Sequence, residues 1–177
     1  MRRFYNRRTV KKISVLLAML AGCASLDKDE CRTADWYAIG LEDGARGRAV
    51  ERLGDHRRAC AEHGVAPQTE RYLAGRNEGL KSFCTYERGY SQGRAGQGYA
   101  GACPKEIAGS FLAGYQRGSE LHELNRRLDE TRKEIARSKA ALTAGIPNPR
   151  ARAAELERLE AATRESEQLE AQLRSLQ

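Results

Sequence analysis

The sequence predicts a mostly α-helical protein: a small disulfide-stapled bundle of short glycine-rich helices, then a long helical hairpin or coiled-coil-like tail, with no substantial sheet. Three observations carry this. Four times between residues 37 and 118 an aromatic residue is followed by glycine at +3 and +7, offsets that fall on one face of an α-helix. Four cysteines, at 31, 60, 84 and 103, share the same stretch. From Ser119 onward only Gly145 remains of the 17 glycines, aromatic residues and cysteines stop, and leucine recurs at helical spacing among Ala, Glu and Arg.

In chain order, the first segment is an address. Arg2, Arg3, Arg7, Arg8, Lys11 and Lys12 precede an apolar run from Ile13 to Leu20, less than half of the ~20 residues a membrane span needs. Small residues then lead to Cys23, the order of a removable secretory signal over residues 1–22. Leu20-Ala21-Gly22-Cys23 resembles the bacterial lipoprotein box. That resemblance implies cleavage before Cys23, acylation of its thiol and new amine, and a lipidated tether over residues 23–30. Two or three acyl chains, at ~0.8 kcal/mol per buried methylene, make a stable membrane anchor. Ala24 and Ser25 stand where enteric lipoproteins kept at the inner membrane carry Asp, so the same resemblance implies the outer membrane of a Gram-negative bacterium, on its periplasmic face.

The address also corrects the charge. A net charge of +7 invites a nucleic-acid partner, but six of the 31 basic residues and none of the 24 acidic ones precede Cys23. The mature chain is left with 25 basic and 24 acidic residues, so no electrostatic glove for phosphate remains and no nucleic-acid partner is expected.

Residues 31–118 form the next domain. The copies Tyr37-x-x-Gly40-x-x-x-Gly44, Tyr72-x-x-Gly75-x-x-x-Gly79, Tyr86-x-x-Gly89-x-x-x-Gly93 and Phe111-x-x-Gly114-x-x-x-Gly118 are separated by 35, 14 and 25 residues, which excludes a regular solenoid. Glycine costs a helix about 1 kcal/mol relative to alanine, so eight at one phase require close helix approach, with each ring expected to cover a neighbour's bare backbone. Helices are predicted at 33–46, 50–63, 67–82, 86–95 and 105–118. Trp36, Tyr37, Ile39, Leu41, Val50, Leu53, Val65, Tyr72, Leu73, Leu80, Phe83, Tyr90, Tyr99, Ile107, Phe111 and Leu112 are the core candidates. An exported domain with so few apolar residues and four remaining cysteines calls for two disulfides, in one of three connectivities. An antiparallel arrangement of the first two helices, broken near Gly47, favours Cys31–Cys60 and Cys84–Cys103.

Residues 119–177 form the tail. Leu121, Leu128, Ile135 and Leu142 repeat every seven residues, with Leu124 beside them and Thr131 and Ser138 at inner positions. Pro147 and Pro149 forbid a helix interior, so the chain bends at 145–149, and leucines at 156, 159, 169, 173 and 176 resume the stripe. A hairpin folded on itself and an extended helix awaiting a partner both fit. Either makes 119–177 the expected surface for an envelope protein partner or for self-association.

Candidate chemistry is sparse. His56, Cys60 and His63 share one helical face, which makes His56 and His63 the metal candidates, but a disulfide competes for Cys60 and no metal is expected. Gly96-Gln-Gly98-Tyr-Ala-Gly101 matches the dinucleotide fingerprint without the preceding strand that motif needs, so it reads as a turn and implies no cofactor. Asp35, Trp36, Tyr37 and Asp43 are the candidates for a polar binding rim, and Asp35 with Asp43 is the nearest approach to an acid pair. No catalytic residue is assigned.

Taken together, Cys31-x-x-x-Asp35-Trp36-Tyr37-x-x-Gly40-x-x-Asp43-Gly44, Cys60-x-x-x-Gly64, Tyr72-x-x-Gly75-x-x-x-Gly79-Leu80-x-x-x-Cys84, Gly89-x-x-x-Gly93 and Tyr99-x-x-x-Cys103-Pro104 resemble a proteobacterial lipoprotein family known as domain of unknown function 2799, over about residues 23–118. The resemblance implies an exported lipoprotein and brings no activity, catalytic residue or cofactor with it. The expectation is a non-enzymatic structural or interaction module of the envelope. A binding protein for a cell-wall fragment or metal, or an envelope enzyme, is the alternative.

Overall fold

The computed structural model describes residues 26–176, among which there are seven helices and no strand. The expected signal segment and Cys23 lie outside the described residues. The helices are α1 (Lys28–Thr33), α2 (Trp36–Ala45), α3 (Arg52–Ala61), α4 (Thr69–Phe83), α5 (Tyr86–Arg94), α6 (Lys105–Ala144) and α7 (Pro149–Ser175). None of them is long and apolar enough to cross a membrane.

Helix α1 falls where a tether was expected. The Asp27 carboxylate accepts from the Asp29 and Glu30 N–H groups at 2.9 and 2.8 Å, and Glu30 accepts from the Asp27 N–H at 2.7 Å, a reciprocal capping box. Leu26 packs against the first core cluster. From Leu26 onward the chain is therefore folded against this core.

The four aromatic-glycine copies pair two by two, α2 with α4 and α5 with α6. In every pair the glycine at +3 lies against the carbonyl at position 0 and the N–H at +4 of the other helix. The glycine at +7 lies against the carbonyl at +4 and the N–H at +8. Contacts that advance in step on both helices mean that the pairs are parallel. Parallel neighbours need a return path, which is α3 in the first unit and the extended segment 95–104 in the second.

Each disulfide staples the starting ends of one such pair. Cys31 and Cys60 precede α2 and α4, and Cys84 and Cys103 precede α5 and α6. The repetition reaches further. Gly47 and Gly96, each ten residues after its motif begins, turn the chain with φ of 67° and 68°, and each is covered by a ring at +11 of the paired helix, Phe83 and His122.

Because the glycine faces meet backbone to backbone, the rings do not cover bare helix as expected. Side chains at positions 0 and +4 of α2 are displaced beside the contact, which leaves the core candidates Tyr37 and Leu41 exposed. Val50, in the turn before α3, and Leu112, one residue past the motif's ring, are exposed as well. Two cores result, one around Cys31, Trp36, Leu53, Cys60 and Tyr72, the other around Leu80, Cys84, Ala102 and Phe111.

The composition changes at Gly118 and Ser119, but the helix does not. One forty-residue α6 carries its glycine contacts at the start and a leucine seam beyond. Gly145, with φ of 88°, ends it, and Asn148 opens α7 by accepting from the Arg150 and Ala151 N–H groups, with Pro149 in the first turn. Helix α7 folds back along α6. Leu124, Leu128 and Leu169 form the buried seam with Leu173 and Leu176 beside it, and Arg117 donates to the Leu176 carbonyl at 2.7 Å. Thr131 and Ser138 are buried at inner positions as expected, Thr131 turning its hydroxyl onto the Arg127 carbonyl one turn back.

Candidate functional site

The densest polar constellation lies inside the first unit. Asp43, on the flank of the α2 glycine face, accepts through one oxygen, Oδ2, from both His56 Nε2 of α3 and the Tyr72 hydroxyl of α4, each at 2.8 Å. An ionised carboxylate has no proton to give, so the His56 proton on this bond is on Nε2. Trp36 and Tyr72 meet the His56 ring edge-on at centroid distances of 6.3 and 5.8 Å.

Burial pushes the Asp43 carboxyl upward, but hydrogen bonds from His56 and Tyr72, with the His56 and Arg52 charges, outweigh it and hold the group below the usual carboxylate range. Burial and the neighbouring Asp43 raise the Tyr72 phenol well above its ordinary value. Asp43 is 8% exposed, His56 3% and Tyr72 0%. The shared oxygen thus ties three helices together, α2 through Asp43, α3 through His56 and α4 through Tyr72. His56 Nδ1 and Arg52 Nε are buried without partners among the described residues.

The rim expected from Asp35, Trp36, Tyr37 and Asp43 does not assemble. Asp35 caps α2 by accepting from the Tyr37 and Ala38 N–H groups and pairs with Arg71 at 3.2 Å. Trp36 and Asp43 turn inward while Tyr37 faces solvent. Asp35 and Asp43 consequently share no cleft. Of the metal candidates, His56 is spent on Asp43 and the Cys60 sulfur is bonded to Cys31, so His56, Cys60 and His63 do not form a ligand set. Committing Cys60 to a bridge puts His56, one turn earlier on the same face, inside as well.

One of several surface concavities among the described residues lies elsewhere. A cleft of about 340 Å³ opens where the two units meet, between the end of α2, helix α5 and the return segment 95–104. Its floor includes Phe83 and Ala102, and its walls carry Arg46, Arg88, Ser91, Gln92, Gln97 and Tyr99. No spacing in the sequence announces these six, since they come together only through the fold.

Residues 35–120 match the model of a family described as a protein of unknown function, DUF2799. The match begins at the α2 cap and ends just past Gly118, so it takes in all four glycine copies. Among curated proteins, one from Escherichia coli (strain K12), described as uncharacterized protein YfiL, is 27% identical over 124 residues, an alignment covering 67% of this chain and 98% of the relative. About a third of the chain therefore has no counterpart in that relative. No solved structure matches.

Proposed function

We propose, for a chain that belongs through residues 35–120 to the DUF2799 family of unknown function, a non-enzymatic role as a lipid-anchored envelope module that holds a helical rod for a protein partner. The observation that carries this reading is α6. Its first turns are fixed by glycine contacts into a doubly stapled head, and the same helix runs on through residues 119–144. At 1.5 Å per residue, that stretch projects about 39 Å beyond the head. Helix α7 returns along it, so the rod is two helices thick and rigidly mounted.

Its outer surface is dense in charge of both signs, with ion pairs across the two helices from Arg127 to Glu165 and Arg132 to Glu170, both at 2.9 Å. Exposed pairs of this kind add little stability, so they serve solubility and recognition more than folding. Leu156, near the tip, stays exposed on the rod. The anchor in this reading is lipid on Cys23, at the periplasmic face of the outer membrane.

Photo-crosslinking in cells tests it. A crosslinking residue at Leu156 in the full chain should trap a discrete partner or a second copy, and Cys23→Ser should release the protein from the membrane fraction. The reading is wrong if rod positions trap nothing while head positions do, or if Cys23→Ser protein stays membrane-bound.

A further inference from the structure

We propose that the cleft between the two units binds a small sugar carrying a carboxylate or phosphate group. Its volume, about 340 Å³, falls at the small end of the ~300–1,000 Å³ typical of ligand pockets. Arg46 and Arg88 face it from opposite units, and among the described residues no carboxylate lines it. Arg88 holds no ion pair among the described residues, and Arg46 pairs only with Glu42 at the surface, a contact that a ligand oxyanion displaces at little cost. Two guanidinium forks are the side chains best matched to a carboxylate or phosphate.

The remaining walls fit the rest of a sugar. Ser91 and Gln97 offer hydroxyl and amide groups to ring hydroxyls, and Tyr99 supplies a flat, half-buried aromatic wall. The wall that carries them is set in advance. Gln92 Nε2 donates to the Gly98 carbonyl at 2.6 Å, the Tyr115 hydroxyl donates to the Gln97 carbonyl at 3.0 Å, and the Cys103 N–H donates to the Tyr99 hydroxyl at 2.8 Å. The Cys84–Cys103 bond closes the far end of the segment. A segment tied at four points loses little freedom on binding, which favours affinity even for a small ligand.

Titration calorimetry on the mature lipidated protein in detergent, with N-acetylmuramic acid, glucose 6-phosphate, inorganic phosphate and N-acetylglucosamine as probes, decides the matter. At least one anionic sugar should bind about tenfold or more tightly than inorganic phosphate and the neutral sugar, and which one binds identifies the carboxylate or the phosphate source. Arg88→Gln and Arg46→Gln, both at exposed positions, should each weaken that binding about tenfold without moving the thermal midpoint, whereas Arg150→Gln on α7 should leave it unchanged. The proposal is overturned if the neutral sugar or inorganic phosphate binds as tightly as both anionic sugars, if no probe binds, or if both cleft variants bind like wild type.

Discussion

The two glycine-paired units share a backbone and differ in what fills it. Both bring parallel helices together through the same four glycine contacts, both are stapled at the starting ends, and both close the first helix with a left-handed glycine under a ring. Even the fastening of the return path recurs. Arg76, at +4 of α4, donates to the Arg48 carbonyl at 2.7 Å, and Tyr115, at +4 of α6, donates to the Gln97 carbonyl at 3.0 Å.

Inside, the chemistry diverges. Where the first unit places Tyr72, Asp43 and a helix bearing His56, the second has Phe111, Gln92 and an extended segment bearing Tyr99. The first core is joined by hydrogen bonds to one carboxylate oxygen, the second by rings packed on Phe111, Tyr99 tilted at 4.6 Å and Phe83 stacked at 5.2 Å. Backbone contact and staple define the unit, and the filling is free to change.

If that is right, the glycines are the costliest place to intervene in either unit. A methyl group on Gly40 would sit well inside van der Waals contact of the Tyr72 carbonyl oxygen, and one on Gly114 would do the same to Tyr86. Neither neighbour is a side chain that can rotate away. Gly40→Ala and Gly114→Ala should each cost about 3 kcal/mol or more in urea unfolding, and a clear inequality between them would break the equivalence of the units.

Asp43→Asn comes next, with a loss of about 2–3 kcal/mol at neutral pH and a signature in acid. Because folding lowers the Asp43 pKa from its ordinary 3.8, the unfolded chain takes up the proton first. The stabilisation is complete above the unfolded value and is lost as pH falls through the folded one. Unfolding followed from neutral pH down through the carboxylate range should show a stability drop in wild type that the variant lacks.

A smaller effect separates the two fillings. Tyr72→Phe, which gives the first unit the second unit's residue, should cost about 1–2 kcal/mol by stripping a donor from Asp43. Phe111→Tyr should also destabilise, since it adds a hydroxyl at a fully buried position. If both exchanges leave the thermal midpoint unchanged, the cores are interchangeable and the contrast drawn above is empty. Smallest is Gly109→Ala, in α6 but facing open space, which should stabilise by up to about 1 kcal/mol and so mark which glycines the pairing needs.

The architecture was legible in the sequence wherever spacing carries direction. The +3 and +7 glycines announce a flush helix face, the heptad of Leu121, Leu128, Ile135 and Leu142 announces the rod, and Pro147 and Pro149 announce its bend. Pairing partners were not legible, because a motif repeated four times is equally complementary to each of its copies. The exposure of Tyr37 and Leu41 escaped for a related reason. Hydrophobic periodicity assumes that side chains fill an interface, and here bare backbone fills it. The cleft was invisible because Arg46, Arg88 and Gln97 belong to separate elements with no common period. Asp43 was legible only as a rim candidate and as half of an acid pair with Asp35, because nothing in the spacing of Asp43, His56 and Tyr72 links three residues that meet only through the fold.

The packing of Leu26 fixes a leash length. From Cys23 to Leu26 a chain reaches at most about 11 Å, so in the proposed reading, with lipid on Cys23, the head stays close against the bilayer. The height at which a partner is met is set by the rigidly mounted rod instead, whose length is several times that leash. Lengthening the leash by inserting a flexible linker after Cys23 would free the head to tumble. Any partner that meets the rod at a fixed height above the bilayer would then lose its register, with every contact residue still in place.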